Sequence, residues 1–434
     1  MVEVVTNLLL VRNCGLEGLD GSTHFLASYL IMRSYHLIVS VRVEYPALLS
    51  TVDCVGVVGF ILRLKAQVFS LILYNPKYED IDGIQIRRIN EGSNIIGAGE
   101  ELIRHTTLVS PTWYVNLRKL FWKESYDILH VHDLPPLPTT LRALRGIDTP
   151  VVADFHELYP ESVTEWRAAK SRLERCRPSI LFKPQSRWER IESKCITEID
   201  GLVTVSPEQL EYYKKKYDLS QTETGVVRNV PDLKRFDQMG IEPLEYDTFT
   251  ISYIGYFTPQ RGLETAITAF SEFLDSVPDA KLLMVGDSND DYITDLQSLV
   301  SEVGIENNVE FTGWVDFERV PSYMNASDVT LCTWVGDNLD SECTLPNKMF
   351  QSMLMETPVV ASNLRSMENL INKTDSGLVF EQDSTSSLTE AFQKLYNNPD
   401  FRKKLGHNGK RAAESKYNIH EEGDTLVKLY QRIL

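Results

Sequence analysis

Short apolar runs alternate with longer stretches of helical period from about residue 125 to the end of the chain. Each run is rich in Val and Ile and precedes a polar or glycine turn, which is typical of strands joined by crossover helices. We therefore predict an α/β fold. The runs predict three strands of a first sheet and six of a second, at 126–131, 150–154, 201–205, 249–254, 280–285, 308–311, 328–332, 358–361 and 377–380.

A stretch with few periodic apolar positions separates the two predicted sheets. It runs from 228 to 247 and carries Pro231, Gly240 and Pro243, which favour an irregular connection. A chain of 434 residues is also too long for one ordinary hydrophobic core. We predict two domains followed by a helical segment that returns to the first of them, with bounds 1–232, 245–415 and 416–434.

The first 65 residues fit this pattern poorly. Gly15, Gly18 and Gly21 follow a predicted strand at 2–11, but their G-x-x-G-x-x-G spacing differs from the dinucleotide fingerprint G-x-G-x-x-G. The spacing argues against an oxidoreductase.

The charge distribution narrows the classes of partner. A net charge of -17 argues against broad binding of nucleic acid, which needs a basic face. The segment 167–194 is locally basic, with nine basic and three acidic residues interleaved with apolar ones. It either docks peripherally on anionic lipid headgroups or forms a solvated connector.

The six cysteines contain no C-x-x-C pair, and no histidines stand at zinc-ligand spacing. Reduced thiols and the lack of a signal-peptide pattern at the start of the sequence predict a cytoplasmic protein, with or without contact at the inner membrane face.

Polar residues follow two neighbouring predicted strands of the first sheet. His132 and Asp133 come directly after the first strand, and His156 and Glu157 after the second. Ligands of parallel α/β sheets bind outside the carboxyl ends of the strands, so both histidines are expected in one crevice. A lone histidine in such a place is more often a structural, hydrogen-bonded residue.

The second predicted sheet offers two candidate phosphate contacts. Gly255 and Arg261 lie in a strand-turn-helix segment whose backbone N–H groups and cation suit phosphate, although a plain turn with a solvated arginine has the same pattern. Asn347, Lys348 and Gln351 share one face near the start of a later helix. That face suits a diphosphate and its ribose, or is a solvated face of a buried helix.

Seven stretches in this order resemble the motifs of family 4 glycosyltransferases, which have the GT-B fold. They lie at 130–134, 154–160, 227–231, 254–263, 285–287, 311–314 and 345–362. The resemblance implies two Rossmann-like, doubly wound domains facing across a cleft. It further implies retaining transfer of a sugar from a nucleotide diphosphate sugar to a hydroxyl of a glycan or lipid-linked acceptor, with no metal and no cofactor.

The resemblance carries over to individual residues. His156 matches the histidine beside the reacting sugar and is the expected catalytic residue, while His132, Asp133 and Glu157 fall on the acceptor side. In the second domain, Arg261 matches the basic residue that binds the diphosphate, and Gly255 matches the glycine turn before it. Gly313 and Trp314 match the segment that contacts the base. The expected residues of the donor-binding helix are Asn347, Lys348 and Gln351.

The sequence departs from the family pattern in four places. The family often pairs two glutamates eight positions apart, whereas this chain has Cys343 and Gln351, with Glu342 one place off. Tyr256 replaces an arginine of the phosphate loop, and the glycine-rich acceptor loop is not recognisable in 1–65.

Because of these departures, a non-catalytic binding subunit of the same fold remains an alternative to the enzyme. Another GT-B enzyme, such as a sugar-nucleotide epimerase or a phosphorylase, also remains open. The acidic run Asp287, Asp290 and Asp291 is interpreted as solvated rather than as a metal site.

Overall fold

The computed structural model describes residues 37–41, 67–70, 78–81, 84–88, 107, 109–168, 185–288 and 292–434, with the backbone alone before 89 and at 165–168. The predicted strand at 2–11, its glycine turn, residues 169–184 of the basic segment, Asp290 and Asp291 lie outside the described residues.

Fourteen strands form two sheets within these residues. The strands are β1 (Leu37–Val41), β2 (Gln67–Ser70), β3 (Tyr78–Ile81), β4 (Ile84–Arg88), β5 (Ile128–His132), β6 (Val151–Phe155), β7 (Gly201–Thr204), β8 (Glu223–Val226), β9 (Thr250–Ile254), β10 (Lys281–Val285), β11 (Val309–Gly313), β12 (Val329–Cys332), β13 (Val359–Ser362) and β14 (Gly377–Phe380).

Helices cover the faces of both sheets. The helices are α1 (Pro111–Lys123), α2 (Leu137–Ala143), α3 (Tyr159–Ala168), α4 (Gln185–Ile196), α5 (Pro207–Lys216), α6 (Leu233–Met239), α7 (Leu263–Leu274), α8 (Tyr292–Glu302), α9 (Val320–Asn325), α10 (Leu339–Cys343), α11 (Asn347–Leu354), α12 (Arg365–Thr374), α13 (Thr385–Asn397), α14 (Pro399–Ser415) and α15 (Ile419–Ile433).

The first sheet has the order β3-β4-β2-β1-β5-β6-β7-β8. Strands β5 to β8 are parallel, whereas β1 runs antiparallel to both of its neighbours. All residues of β5, β6 and β7 are buried, because helices lie on both faces, and this explains why most of their residues are apolar. The three strands predicted here are confirmed to within two residues, whereas β1 to β4 and β8 were not predicted.

The second sheet is wholly parallel and has the order β11-β10-β9-β12-β13-β14. This is the 3-2-1-4-5-6 order of a doubly wound fold, whose topological switch point lies between β9 and β12. All six predicted strands are present. The switch point marks the carboxyl edge of β9 and β12 as the place where a ligand is expected.

The predicted returning segment 416–434 contains one helix, α15, and α14 ends just before it. Asn418 starts α15, since its side chain accepts hydrogen bonds from the backbone N–H groups of His420 and Glu421. Helix α15 returns to the first sheet, where Leu429 and Ile433 pack so closely on Gly201 that a Cβ there would lie 2.7 Å from Ile433 Cδ1. None of the described helices combines the length and the apolar character that a membrane span requires.

The carboxyl ends of the two sheets face each other. Asp340 of α10 accepts hydrogen bonds from Leu158 N (2.6 Å) and Ser162 Oγ (3.1 Å), which follow β6. Ser206, which follows β7, donates to the carbonyl oxygen of Cys343 at 2.8 Å. These contacts join the two domains beside the predicted site residues, as the expected cleft requires.

Candidate functional site

A cluster of imidazoles surrounds one carboxylate at the carboxyl edge of the first sheet. Oxygen Oδ2 of Asp154 lies 3.0 Å from His130 Nε2, 3.3 Å from His132 Nδ1 and 3.4 Å from His156 Nε2. The second oxygen of this carboxylate, Oδ1, is buried and has no hydrogen-bond partner among the described residues. The cluster brings together His132 and His156, as predicted for neighbouring strands.

Strand geometry explains this convergence. His130 and His132 are two residues apart on β5, so both side chains lie on one face. The parallel register pairs His132 with Asp154 of β6, and His156 follows two positions later. Helix α15 completes the cluster, because Tyr430 Oη lies 2.7 Å from His130 Nδ1.

The imidazoles differ in their expected charge. Burial and the neighbouring histidines hold the pKa of His132 well below its usual value, which favours a neutral ring. Burial also acts to lower the pKa of His156, but the charge of Asp154 and a hydrogen bond to it outweigh burial and raise that pKa to about 9. We therefore expect His156 to be protonated near neutral pH, and its side chain is 22% exposed.

Acidic groups line the cleft next to His156. Asp133 has a left-handed backbone (φ 62°), and its carboxylate accepts a hydrogen bond from the backbone N–H of His156 at 3.0 Å. Burial, with the charges of Asp133 and Asp340, raises the pKa of Glu157 well above its usual value. Oε1 of Glu157 is buried without a hydrogen-bond partner in the described part of the chain.

The second domain places a tight loop after β9, at the switch point. Thr333, which follows β12, donates its hydroxyl to the carbonyl oxygen of Arg261 at 2.6 Å. Gly262 has φ 60°, and a Cβ there would overlap the carbonyl oxygen of Thr333. Only glycine fits this turn, which fixes Arg261 against the loop that follows β12.

The guanidinium of Arg261 stacks on an indole ring. Its Cζ atom lies 3.5 Å from the centroid of the Trp334 ring. Its Nε and Nη1 atoms are buried and have no hydrogen-bond partner within the described residues. The arginine is thus held by an aromatic face while its donors stay available to a ligand.

Lys348 reaches the same place from α11. Its Nζ atom lies 3.7 Å from the centroid of the Tyr253 ring, and a Cβ on Gly255 would be 3.0 Å from this nitrogen. Burial and the nearby charge of Arg261 lower the pKa of Lys348 to about 7, although Cys332 acts in the opposite direction. In the described structure neither cation forms an ion pair with a carboxylate.

The remaining predicted donor residues lie along the same edge. Gly313 ends β11 with φ 68°, and its carbonyl oxygen accepts the N–H of Gly286 at 3.1 Å. Trp314 comes next and is 47% exposed. Asn347 is exposed at the start of α11, and Gln351 is half-buried one turn later.

Cys343 and its neighbour Glu342, at one of the departures from the family pattern, have structural roles. Cys343 is buried and packs with the core of the first domain. Glu342 accepts the backbone N–H of Arg365 at 2.8 Å, so it stabilises the start of α12 instead of replacing the missing glutamate.

Four residues of the site were missed by the sequence reasoning: His130, Asp154, Trp334 and Tyr430. The H-x-H spacing of His130 and His132 was the available signal for a shared strand face. Tyr430 and Trp334 gave no local signal, because both act through tertiary contacts.

Two family models match the chain. Residues 72–235 match the model described as Glycosyltransferase Family 4, and residues 248–398 match the one described as Glycosyl transferases group 1. The first match covers the histidine cluster, and the second covers Arg261 and Lys348.

Curated relatives carry glycosyltransferase names. The alpha-D-kanosaminyltransferase of Streptomyces kanamyceticus is 24% identical over 42% of this chain, and the match spans 45% of that protein. The phosphatidyl-myo-inositol mannosyltransferase of Mycobacterium leprae is 21% identical over 75% of this chain and 78% of its own length.

Solved structures share the fold. Sucrose-phosphate synthase from Thermosynechococcus elongatus superposes with a TM-score of 0.66 at 18% identity, covering 85% of this chain and 88% of that one. HepE of Anabaena, solved in complex with UDP, gives a TM-score of 0.59 at 16% identity, with 81% and 85% covered. The fold and the family models define a glycosyltransferase of the GT-B class. Within that class, the chain belongs to the family 4 type.

Proposed function

We propose that the protein transfers a sugar, with retention of anomeric configuration, from a nucleotide diphosphate sugar to a hydroxyl group of a glycan or lipid-linked acceptor. Structures of the same fold hold UDP or UDP-sugars, which makes a UDP-sugar the first donor to test. The roles of the individual site residues are part of the same proposal.

The observation that carries the proposal is the pair of cations at the switch point. Arg261 and Lys348 come from different elements, and each contacts an aromatic ring on the carboxyl edge of β9 and β12. A diphosphate here would receive charge-assisted hydrogen bonds from both side chains. The same cations would stabilise the negative charge that develops on the departing nucleoside diphosphate.

We assign the rest of the donor to the same edge. The exposed Trp314 and Gly313 suit the base, while Asn347 and Gln351 on α11 suit the ribose. Across the cleft, His156 presents a cationic ring to the reacting sugar. His132, Asp133 and Glu157 lie behind and beside it, on the acceptor side.

This chemistry uses side-chain cations and helix starts, and we propose that it needs neither a metal nor an organic cofactor. In the retaining reaction the acceptor hydroxyl attacks the sugar on the same face as the leaving group. The leaving group then takes the proton of that hydroxyl. We also propose that the basic segment 167–194 contacts the inner membrane face peripherally.

A panel of nucleotide sugars tests the proposal. We expect one donor to raise the thermal midpoint, and nuclear magnetic resonance of its first product to show the anomeric configuration of the donor. Donor binding without hydrolysis or transfer would support the non-catalytic subunit instead. Conversion of the free donor into another sugar nucleotide would support an epimerase.

Trp334→Leu is expected to weaken UDP binding by about 5- to 30-fold, because a buried cation–π contact contributes on the order of 1 to 2 kcal/mol to holding Arg261. Trp334→Phe keeps an aromatic face and should retain most of the affinity. Calorimetric titration of UDP measures both variants. Equal affinity in the leucine variant would show that the indole does not position the arginine.

Gln351→Glu is expected to tighten binding of UDP several-fold. A carboxylate accepts hydrogen bonds from both ribose hydroxyls, whereas the amide has one acceptor oxygen, and the difference is on the order of 1 kcal/mol. The same titration compares the variant with the natural protein. An unchanged or weaker affinity in a folded variant would place Gln351 away from the ribose.

A further inference from the structure

The histidine cluster contains three atoms with the spacing of metal ligands. His132 Nδ1 and His156 Nε2 are 3.1 Å apart, and both lie close to Asp154 Oδ2, at 3.3 Å and 3.4 Å. The three atoms thus form a nearly equilateral triangle. The group His130, His132 and Asp154 likewise has its ligand atoms within 4.8 Å of one another.

A four-coordinate ion fits such a triangle. Zinc binds imidazole nitrogen and carboxylate oxygen at about 2.0 to 2.2 Å, so tetrahedral ligands lie about 3.3 to 3.6 Å apart. The observed edges match this spacing with small adjustments of the two rings. A set of two imidazoles and one carboxylate also binds zinc and neighbouring transition ions in preference to magnesium or calcium.

The surroundings supply the support that metal ligands normally have. His130 lies 3.0 Å from Asp154 Oδ2, and its other ring nitrogen is 2.7 Å from the Tyr430 hydroxyl. This chain of hydrogen bonds fixes the carboxylate in place. The buried Oδ1 of Asp154, which has no partner among the described residues, leaves an acceptor for a second contact to an ion or to its water.

We propose that His132, His156 and Asp154 bind a divalent transition ion, zinc in the first place, with the fourth position open to the cleft. His156 releases its ring proton to solvent when the ion binds, because only a neutral imidazole nitrogen coordinates a metal. The exposed edge of His156 gives the ion its entry path. Three protein ligands and one open position are typical of reactive rather than structural zinc sites.

Occupancy of this site would inhibit the enzyme. The ion takes the Nε2 atom of His156 and displaces its proton, so the ring loses the positive charge that the proposed function assigns to the reacting sugar. A bound ion and its water then fill the space of that sugar. This consequence rests on the proposed function, whereas ion binding itself does not.

Cobalt titration of the full chain, without donor, tests binding. Co²⁺ should bind with one-to-one stoichiometry, give the intense visible bands of a four-coordinate ion, and be displaced by Zn²⁺. His156→Ala should lose these bands, and His130→Ala should bind about 10- to 100-fold more weakly, the usual cost of losing a supporting hydrogen bond. His407→Gln, a surface control, should bind as the natural protein does.

X-ray absorption of the zinc-loaded natural protein tests the ligands without relying on a variant that must fold. Two imidazoles and one carboxylate oxygen at about 2.0 to 2.2 Å are expected. Six-coordinate oxygen ligation, no visible bands in excess cobalt, or equal binding by His156→Ala would overturn the site.

Turnover of the donor tests the consequence separately. Zn²⁺ should inhibit over the concentration range in which it displaces Co²⁺, and a chelator should restore activity. Tight binding without inhibition would overturn the claim that the ion closes the sugar pocket. If no donor is turned over, the proposed function fails while the two spectroscopic measurements still decide the metal site.

Discussion

Replacing His156 by alanine is expected to lower the turnover number by about 100- to 1000-fold, which is the usual cost of removing one preorganised group that meets developing charge. The dissociation constant of UDP should change little, because His156 belongs to the first domain and the nucleotide contacts assigned above belong to the second. A loss confined to turnover is the sign of an interaction made mainly in the transition state.

Steady-state kinetics and UDP titration on the same preparation measure the two quantities. His407→Ala is the matched control, since His407 also pairs with a carboxylate, Glu356, but lies on the surface of α14. A His156→Ala variant that binds UDP weakly and turns over normally would reverse the assigned role.

Donor affinity is expected to fall with rising pH, by as much as about tenfold per unit above pH 7. Lys348 has a pKa of about 7 in the free protein, because burial and the charge of Arg261 disfavour its protonated form. A bound diphosphate favours that form and raises the pKa. Between the two pKa values, binding therefore takes up a proton, and the affinity decreases as the proton becomes scarcer.

Calorimetric titration of UDP at pH 8 in buffers of different ionisation enthalpy measures this uptake directly. We expect a value approaching one proton per UDP bound. Lys348→Met should abolish the Lys348-linked uptake and weaken binding, whereas Lys348→Arg should abolish the uptake and keep the charge. Equal proton uptake by the natural protein and Lys348→Met would exclude Lys348 from the diphosphate site.

The sequence predicted the fold because its strands are buried on both faces. Runs such as 282–285 and 359–361 are continuous and apolar only when helices cover the sheet on each side. The positions just after β5, β6 and β9 were predicted as sites by the general rule that ligands bind at carboxyl ends. The hydrophobic period of the sequence was sufficient to predict the strands, and the position of polar residues after the strands was sufficient to predict the candidate sites.

The sequence could not predict contacts between distant elements. Tyr430 meets His130 across 300 positions because α15 returns to the first sheet, and Trp334 meets Arg261 because β12 is the neighbour of β9. Cys343 replaces a glutamate of the family pattern and is buried, since the end of α10 contacts the first-domain core. Only the packed structure reveals these partners.

Titration of UDP into the natural protein, Arg261→Ala and Arg402→Ala tests most directly whether the switch point holds the diphosphate. Arg402 also stacks on an aromatic ring, Phe249, but it pairs with Asp328 at the opposite edge of the same sheet. We predict that Arg261→Ala weakens binding by about 10- to 150-fold, which corresponds to about 1.5 to 3 kcal/mol for a charged hydrogen-bond partner. Arg402→Ala should bind as the natural protein does. Unchanged affinity in Arg261→Ala, or an equal loss in Arg402→Ala, would contradict the account.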